Sequence, residues 1–217
     1  MTELFLVRHP ETELNVGRHL IAGRSEAAPI TKRGEEQARR FALAFSEHYP
    51  QPDVLYSSPT VRTTSLLEIY NHTLGTQKSF TIDANLHEMS QGINEGKDRS
   101  DVYTPEVLAL IKEQLLDFSF EGGESLNNTA DRGNSFLERI TEENPDQTVL
   151  AATHGQFIRA LIGRHLGWNH YETTLDPAHY TDNVSLTHLT LDSGQVKINF
   201  YGKDIIEPVE NDTVKVY

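Results

Sequence analysis

Leu4-Phe5-Leu6-Val7-Arg8-His9-Pro10 decides the reading of this chain: four apolar residues in a row, then two basic side chains and a proline. The run is too short for a helix. Without polar alternation it reads as a strand covered on both faces and stopped at its polar end. The same form recurs at Asp53-Val54-Leu55-Tyr56-Ser57-Ser58-Pro59 and at Thr148-Val149-Leu150-Ala151-Ala152-Thr153-His154-Gly155. Each leads into a helix-like stretch, over 31–45 after a loop, over 61–70 and over 156–166, the last with Phe157, Ala160, Leu161 and Ile162 at helical spacing. Strand, polar turn and helix in this rhythm predict an α/β fold of three layers, α/β/α, around a mostly parallel central sheet. In such sheets ligands bind outside the carboxyl ends of the strands, where Arg8-His9, Ser57-Ser58 and His154-Gly155 all fall.

Away from these three units the pattern changes. The segment 87–125 is rich in Gly, Asn and Ser around one predicted helix over 105–116, and reads as a small insertion over the strand carboxyl ends. A further helix is expected over 126–140. Two alternating runs, 185–191 and 195–201, turned at Asp192-Ser193-Gly194, read as a closing hairpin. The expected organisation is one domain over 1–206 with a polar tail over 207–217.

The chain has 217 residues, no cysteine and a formal charge of −13. The missing cysteines exclude disulfides, thiolate nucleophiles and zinc ribbons. The acidic balance disfavours nucleic acid and anionic membranes as partners. No apolar run approaches the roughly 18 residues of a membrane span, and Met1-Thr2-Glu3 passes straight into a strand without a basic region or cleavage site. These features lead us to expect a cytoplasmic protein; a homo-oligomer stays open. The charge is uneven. Residues 8–40 hold seven basic and five acidic side chains, net +2, against −15 elsewhere, so an anion is drawn to this part.

Several residues carry candidate chemistry. Arg8-His9 precedes a loop containing Asn15, Gly17-Arg18 and Gly23-Arg24, where guanidinium groups and backbone amides can meet a phosphate. In Ser57-Ser58-Pro59-Thr60-Val61-Arg62, Ser58 is placed to cap a helix beginning at Pro59, and Arg62, one turn in, points back toward the strand end. Gly155 permits close backbone approach beside His154, and the helix behind it is expected to offer free N–H groups to an anion. His165 and His170 lie near a helix end with no flanking acid in a metal-binding spacing, and read as structural.

Taken together, Leu6-Val7-Arg8-His9 with Glu11-Thr12 and Asn15, Ser57-Ser58-Pro59-x-x-Arg62-Thr63, Leu86-x-Glu88, Gly122-Gly123-Glu124-Ser125 and Thr153-His154-Gly155 resemble the histidine phosphatase superfamily, also called phosphoglycerate-mutase-like. The resemblance implies that His9 is a nucleophile that becomes phosphohistidine and that Arg8, Arg62 and His154 hold the phosphoryl oxygens. It further implies that Asn15 and the Gly155 backbone assist, and that Glu88 is the proton donor. Arg18 and Arg24 join them as expected phosphate or substrate contacts from the glycine-arginine loop.

This constellation suits phosphoryl transfer, whose loose transition state spreads charge over three oxygens and is stabilised by positioned positive groups. The expected set is two arginines and a protonated His154. His9 must be neutral at the attacking nitrogen, which calls for an acceptor at the other one that the sequence does not identify. An alkoxide leaving group needs an acid, for which Glu88 is the candidate and Glu124 and Glu11 the substitutes. No metal or cofactor is called for. Pro10 stands where the family mostly has a small residue. Met89-Ser90-Gln91 replaces the Arg and Tyr typical of phosphoglycerate mutases, and the insertion lacks their Arg-Arg pair. No His-Asp dipeptide occurs, against the acid phosphatase branch. The sequence therefore predicts a phosphomonoesterase acting on a small phosphorylated metabolite. The alternatives are a mutase-type phosphotransferase and a non-catalytic phosphate-binding module.

Overall fold

A computed structural model describes residues 1–17, 20–25, 28–174 and 176–206. Arg18 and the expected tail, 207–217, lie outside the described residues. Along the chain run β1 (Thr2–Arg8), α1 (Glu13–Gly17), α2 (Lys32–His48), β2 (Val54–Ser57), α3 (Val61–Leu74) and β3 (Phe80–Ile82). Next come α4 (Arg99–Val102), α5 (Pro105–Gln114), α6 (Leu126–Glu143), β4 (Thr148–Thr153), α7 (Gly155–Leu166), α8 (His170–Thr174), β5 (Leu186–Asp192) and β6 (Gln195–Lys203).

The six strands form one sheet in the order β3-β2-β4-β1-β5-β6. The first four are mutually parallel, and β5 and β6 add an antiparallel hairpin on the β1 side. The hairpin turns at Ser193 and Gly194, both with positive φ (47° and 83°), as a two-residue turn matched to strand twist requires. The predicted α/β fold with a mostly parallel sheet is thus the fold observed.

Successive β1 side chains point to opposite faces, which explains the unbroken apolar run. Leu4 and Leu6 pack with Phe136, Leu137 and Ile140 of α6 and Phe157, Leu161 and Ile162 of α7. Phe5 and Val7 pack with Ala38, Phe41 and Phe45 of α2 and Leu66, Leu67 and Tyr70 of α3. The sheet is buried between two helical layers. Local signals set the helix limits. Thr31 accepts from the Gly34 amide at the start of α2, Ser125 and Asn128 form a reciprocal capping box on α6, and Gly75 and Gly167 end α3 and α7 with φ of 64° and 71°.

After β1 the chain crosses to β2 on one side, and after β4 it continues toward β5 on the other. The crevice between the carboxyl ends of β1 and β4 is therefore the switch point of the sheet. Residues 83–125 join β3 to α6 and meet the strand ends there: the Thr153 hydroxyl donates to the Leu86 carbonyl at 2.7 Å, and Asp83 N–H to the Ser57 carbonyl at 2.9 Å. Among the described residues no helix is long and apolar enough to cross a membrane.

Candidate active site

Arg8 and Thr153 are paired across the β1/β4 ladder, so the residues that follow them, His9 and His154, emerge side by side. The His9 amide donates to the Thr153 carbonyl at 2.9 Å, and the two ring centroids stand 5.3 Å apart. Both rings are buried, His9 5% and His154 0% exposed.

The protonation of each ring follows from its partners. His9 Nδ1 lies 2.7 Å from the Pro10 carbonyl oxygen. A carbonyl only accepts, so the proton sits on Nδ1 and Nε2 keeps its lone pair. Burial, then the charges of Arg62 and Arg8, hold the His9 pKa well below 6.5 against the opposing pull of that hydrogen bond. For His154 the donor is Arg62, whose Nε–H points at Nδ1 at 3.2 Å. Its Nε2 therefore carries the proton and donates to the buried Ser58 hydroxyl at 2.8 Å. His154 is neutral, with burial first and Arg62 second holding its pKa well below 6.5. The expectation of a protonated His154 is corrected here: a fully buried ring beside an arginine cannot hold a second proton cheaply, and the positive charge comes from the arginines alone.

Arg62, at 2% exposure, comes from the first turn of α3. Besides His154, its guanidinium donates to the carbonyls of Ser25 at 2.5 Å and Gly23 at 3.1 Å. The loop 20–25 thus lies over it, and this loop is itself bound to the inserted segment through Ile21 N–H to the Lys97 carbonyl and Gly96 N–H to the Ile21 carbonyl. Arg8 donates from Nη1 to the Thr181 carbonyl. A Cβ built on Gly155 would come within 3.2 Å of both Arg8 Nε and Thr181 Oγ1, so Gly155 is what lets Arg8 and the 181 loop lie against the start of α7.

Glu88 occupies that helix start. Its carboxylate accepts from the amides of Phe157 at 2.9 Å, Gln156 at 3.2 Å and its own neighbour Met89 at 2.9 Å. The α7 amides expected to be free are therefore capped by Glu88, because His154 at the N-cap makes no side-chain cap of its own. The two substitutes for the acid are tied elsewhere. Glu11 accepts from Thr31 and Arg33 at the start of α2. Glu124 is half-buried; burial raises its pKa, but Arg132 with help from Ser90 N–H and Arg24 outweighs this and holds it low.

Arg132 is the residue that the sequence reading missed. From α6 it donates to both Glu124 oxygens at 3.0 Å, to the Asn85 carbonyl at 2.6 Å and to the Glu88 carbonyl at 3.1 Å. Arg24, expected to contact phosphate, joins the same network, donating to Glu124 at 2.6 Å and to the Glu88 carbonyl at 3.0 Å. The Asn15 side chain turns back on Thr12, accepting from its amide at 3.2 Å and its hydroxyl at 3.0 Å. The structure thus gathers Arg8, His9, Arg62, Glu88, His154 and Gly155 and gives Arg24 and Asn15 other contacts. Among the described residues no group of three His, Asp or Glu side chains is disposed to hold a metal ion. His165 instead contacts Asn134 at 2.9 Å.

The chain is similar to known proteins over most of its length. A phosphoserine phosphatase 1 of Hydrogenobacter thermophilus is 32% identical over 77% of both chains. A probable phosphoglycerate mutase GpmB of Shigella dysenteriae is 31% identical over 77% of this chain and 76% of its own. The solved structure of Bacillus stearothermophilus YhfR superposes with a TM-score of 0.82 at 24% identity, covering 95% of this chain and all of that one. The model of the histidine phosphatase superfamily (branch 1) matches residues 4–204, and it is to this superfamily that the chain belongs.

Proposed function

We propose that the protein is a phosphomonoesterase that hydrolyses a small phosphorylated metabolite in two steps through phosphohistidine. His9 Nε2 attacks phosphorus, the bond to the ester oxygen breaks, and Glu88 gives that oxygen its proton. Water then attacks the phosphohistidine and surrenders a proton to Glu88, releasing inorganic phosphate and neutral His9. Arg8 and Arg62 neutralise charge on the transferred group, and His154, which accepts from Arg62 Nε and donates to Ser58, holds the Arg62 guanidinium in place. The observation that carries this reading is the His9 Nδ1 contact with the Pro10 carbonyl, which leaves a neutral, directed Nε2 among two arginines. The formal charge of −13 supports a reading without nucleic-acid partners.

The test is His9→Ala. Turnover should fall by at least about 10⁴-fold while phosphate still binds, because affinity is shared among groups that the substitution leaves in place. Wild-type enzyme quenched in a single turnover should carry an acid-labile, alkali-stable phosphoryl label on His9. Appreciable turnover by His9→Ala, or no such adduct, rejects the nucleophile. Relatives named as phosphatase and as mutase are about equally similar, so phosphoglycerate isomerisation primed with a bisphosphate is assayed beside phosphate release. Isomerisation outpacing release would favour the mutase.

A further inference from the structure

Arg159 lies in the middle of α7, where every residue from Phe157 to Gly163 is buried and no other carries a charge. Its side chain is 7% exposed. Nη1 reaches Gln156 Oε1 at 3.5 Å, but among the described residues the buried Nε and Nη2 meet no acceptor. These two nitrogens form one edge of the guanidinium, the edge that meets a carboxylate with two parallel N–H···O bonds. One face of the group is used, since its carbon lies 4.4 Å from the centroid of the Tyr180 ring. The edge is not.

The surroundings tie Arg159 to the reacting centre. Thr181, next to Tyr180, holds Arg8 through its carbonyl, and among the described residues its hydroxyl is also buried without a partner. That hydroxyl stands beside Gly155, one helical turn before Arg159. Gln156, which Arg159 contacts, gives its amide to Glu88. Burial lowers the Arg159 pKa, and the charges of both Glu88 and Arg8 reach it. A guanidinium with one edge unpaired is costly inside an apolar helix layer, and packing alone would be met better by a leucine or methionine.

We propose that Arg159 is a specificity-determining residue whose Nε–Nη2 edge takes a carboxylate on the leaving group, so that the preferred substrates are phosphate monoesters of small carboxylic acids. Thr181 Oγ1 supplies a further hydrogen bond, and Tyr180, 40% exposed, covers the group from outside. This inference rests on the phosphatase reading of the same site.

The experiment compares 3-phosphoglycerate with glycerol 3-phosphate, esters that differ by a carboxylate against a hydroxymethyl group, with p-nitrophenyl phosphate as a generic ester. Wild-type kcat/KM should favour 3-phosphoglycerate over glycerol 3-phosphate by at least about 30-fold, since a site built to bond a polar group rejects the analogue lacking it. Arg159→Met should erase most of that ratio, chiefly through KM, whatever loss the two esters share. Arg159→Lys keeps a cation in the same helix but cannot make two parallel bonds. It should also lower the ratio, and it serves if Arg159→Met does not fold. A wild type without preference for the carboxylate, or a ratio retained in Arg159→Lys or Arg159→Met, overturns the proposal. If wild-type enzyme releases phosphate from none of the three esters, the phosphatase reading itself fails and this inference falls with it; turnover of p-nitrophenyl phosphate with an unchanged ratio removes only the role of Arg159.

Discussion

His9 is oriented by its own neighbour: the Nδ1 proton is donated to the carbonyl of Pro10 over 2.7 Å. The contact is made by backbone, so it needs no third side chain of the kind that orients the histidine in many hydrolases. Proline adds stiffness to that peptide, with φ fixed near −65° and no N–H to compete for acceptors. Pro10 therefore contributes an acceptor to the ring.

The two histidines make stability depend on pH. Both are held neutral in the folded protein, with pKa values well below 6.5, whereas in the unfolded chain they titrate near 6.5. Below that pH the unfolded state binds the extra protons, so this contribution is complete above about pH 6.5 and is lost as pH falls toward the folded values. Each histidine adds a slope of up to about 1.4 kcal/mol per pH unit. Urea unfolding at pH 7 and pH 5 should show a smaller acid loss in His154→Gln than in wild type. Equal losses would place the dependence on other groups.

Glu88→Gln separates leaving groups. Without the acid, alkyl phosphates should slow by roughly 10²- to 10⁴-fold, and p-nitrophenyl phosphate, which leaves unaided, far less. The cap on α7 weakens as well, at about 1 kcal/mol, read as a lower Tm. An equal kinetic loss on both esters would move the acid to another group.

Arg132→Met should act through Glu88 without touching the reacting atoms. Among the described residues Glu124 keeps only Arg24 as an ionic partner, and the carbonyls of Asn85 and Glu88 lose their shared donor. We expect a stability loss of about 2 kcal/mol, together with a fall in kcat on alkyl phosphates that exceeds the fall on p-nitrophenyl phosphate. A stability loss with equal kinetic effects would make Arg132 merely structural.

Gly155→Ala tests the approach of Arg8 to α7. The added Cβ would crowd Arg8 Nε and Thr181 Oγ1 at 3.2 Å without any positive-φ strain in the backbone. The expected result is a nearly unchanged Tm and about a tenfold lower kcat/KM from the displaced guanidinium. Retained kcat/KM would show that Arg8 has slack.

Much of this molecule could be read from its sequence because its signals are long or repeated. The runs at Leu4, Val54 and Val149 are strands covered on both faces, and their polar ends collect the site. Strand β3 escaped because Phe80-Thr81-Ile82 is three residues long, with nothing but its pairing to β2 to define it. The helix expected over 61–70 runs on to Leu74, since only Gly75 stops it. Arg132 left a signal that was passed over. It shares a helix face with Thr129, Gly133, Phe136 and Ile140, all buried, where an arginine needs a reason. The same holds for Arg159 in its apolar run. The Pro10 carbonyl that accepts from His9 and the Ser25 and Gly23 carbonyls that accept from Arg62 were beyond reach, because every residue type carries a backbone carbonyl alike.

The pairing of Arg8 with Thr153 has a consequence for how such a protein can change. The spacing of its two histidines is a property of one rung of a buried sheet, whereas the segments over the strand ends hang from that rung by loops. Insertions, deletions and substitutions in 83–125 or in the 177–185 connection can redraw the mouth of the site without altering the distance between the rings. Chemistry and recognition are thereby placed under separate selection, and a lineage is free to exchange one metabolite for another while its catalytic rung stays fixed.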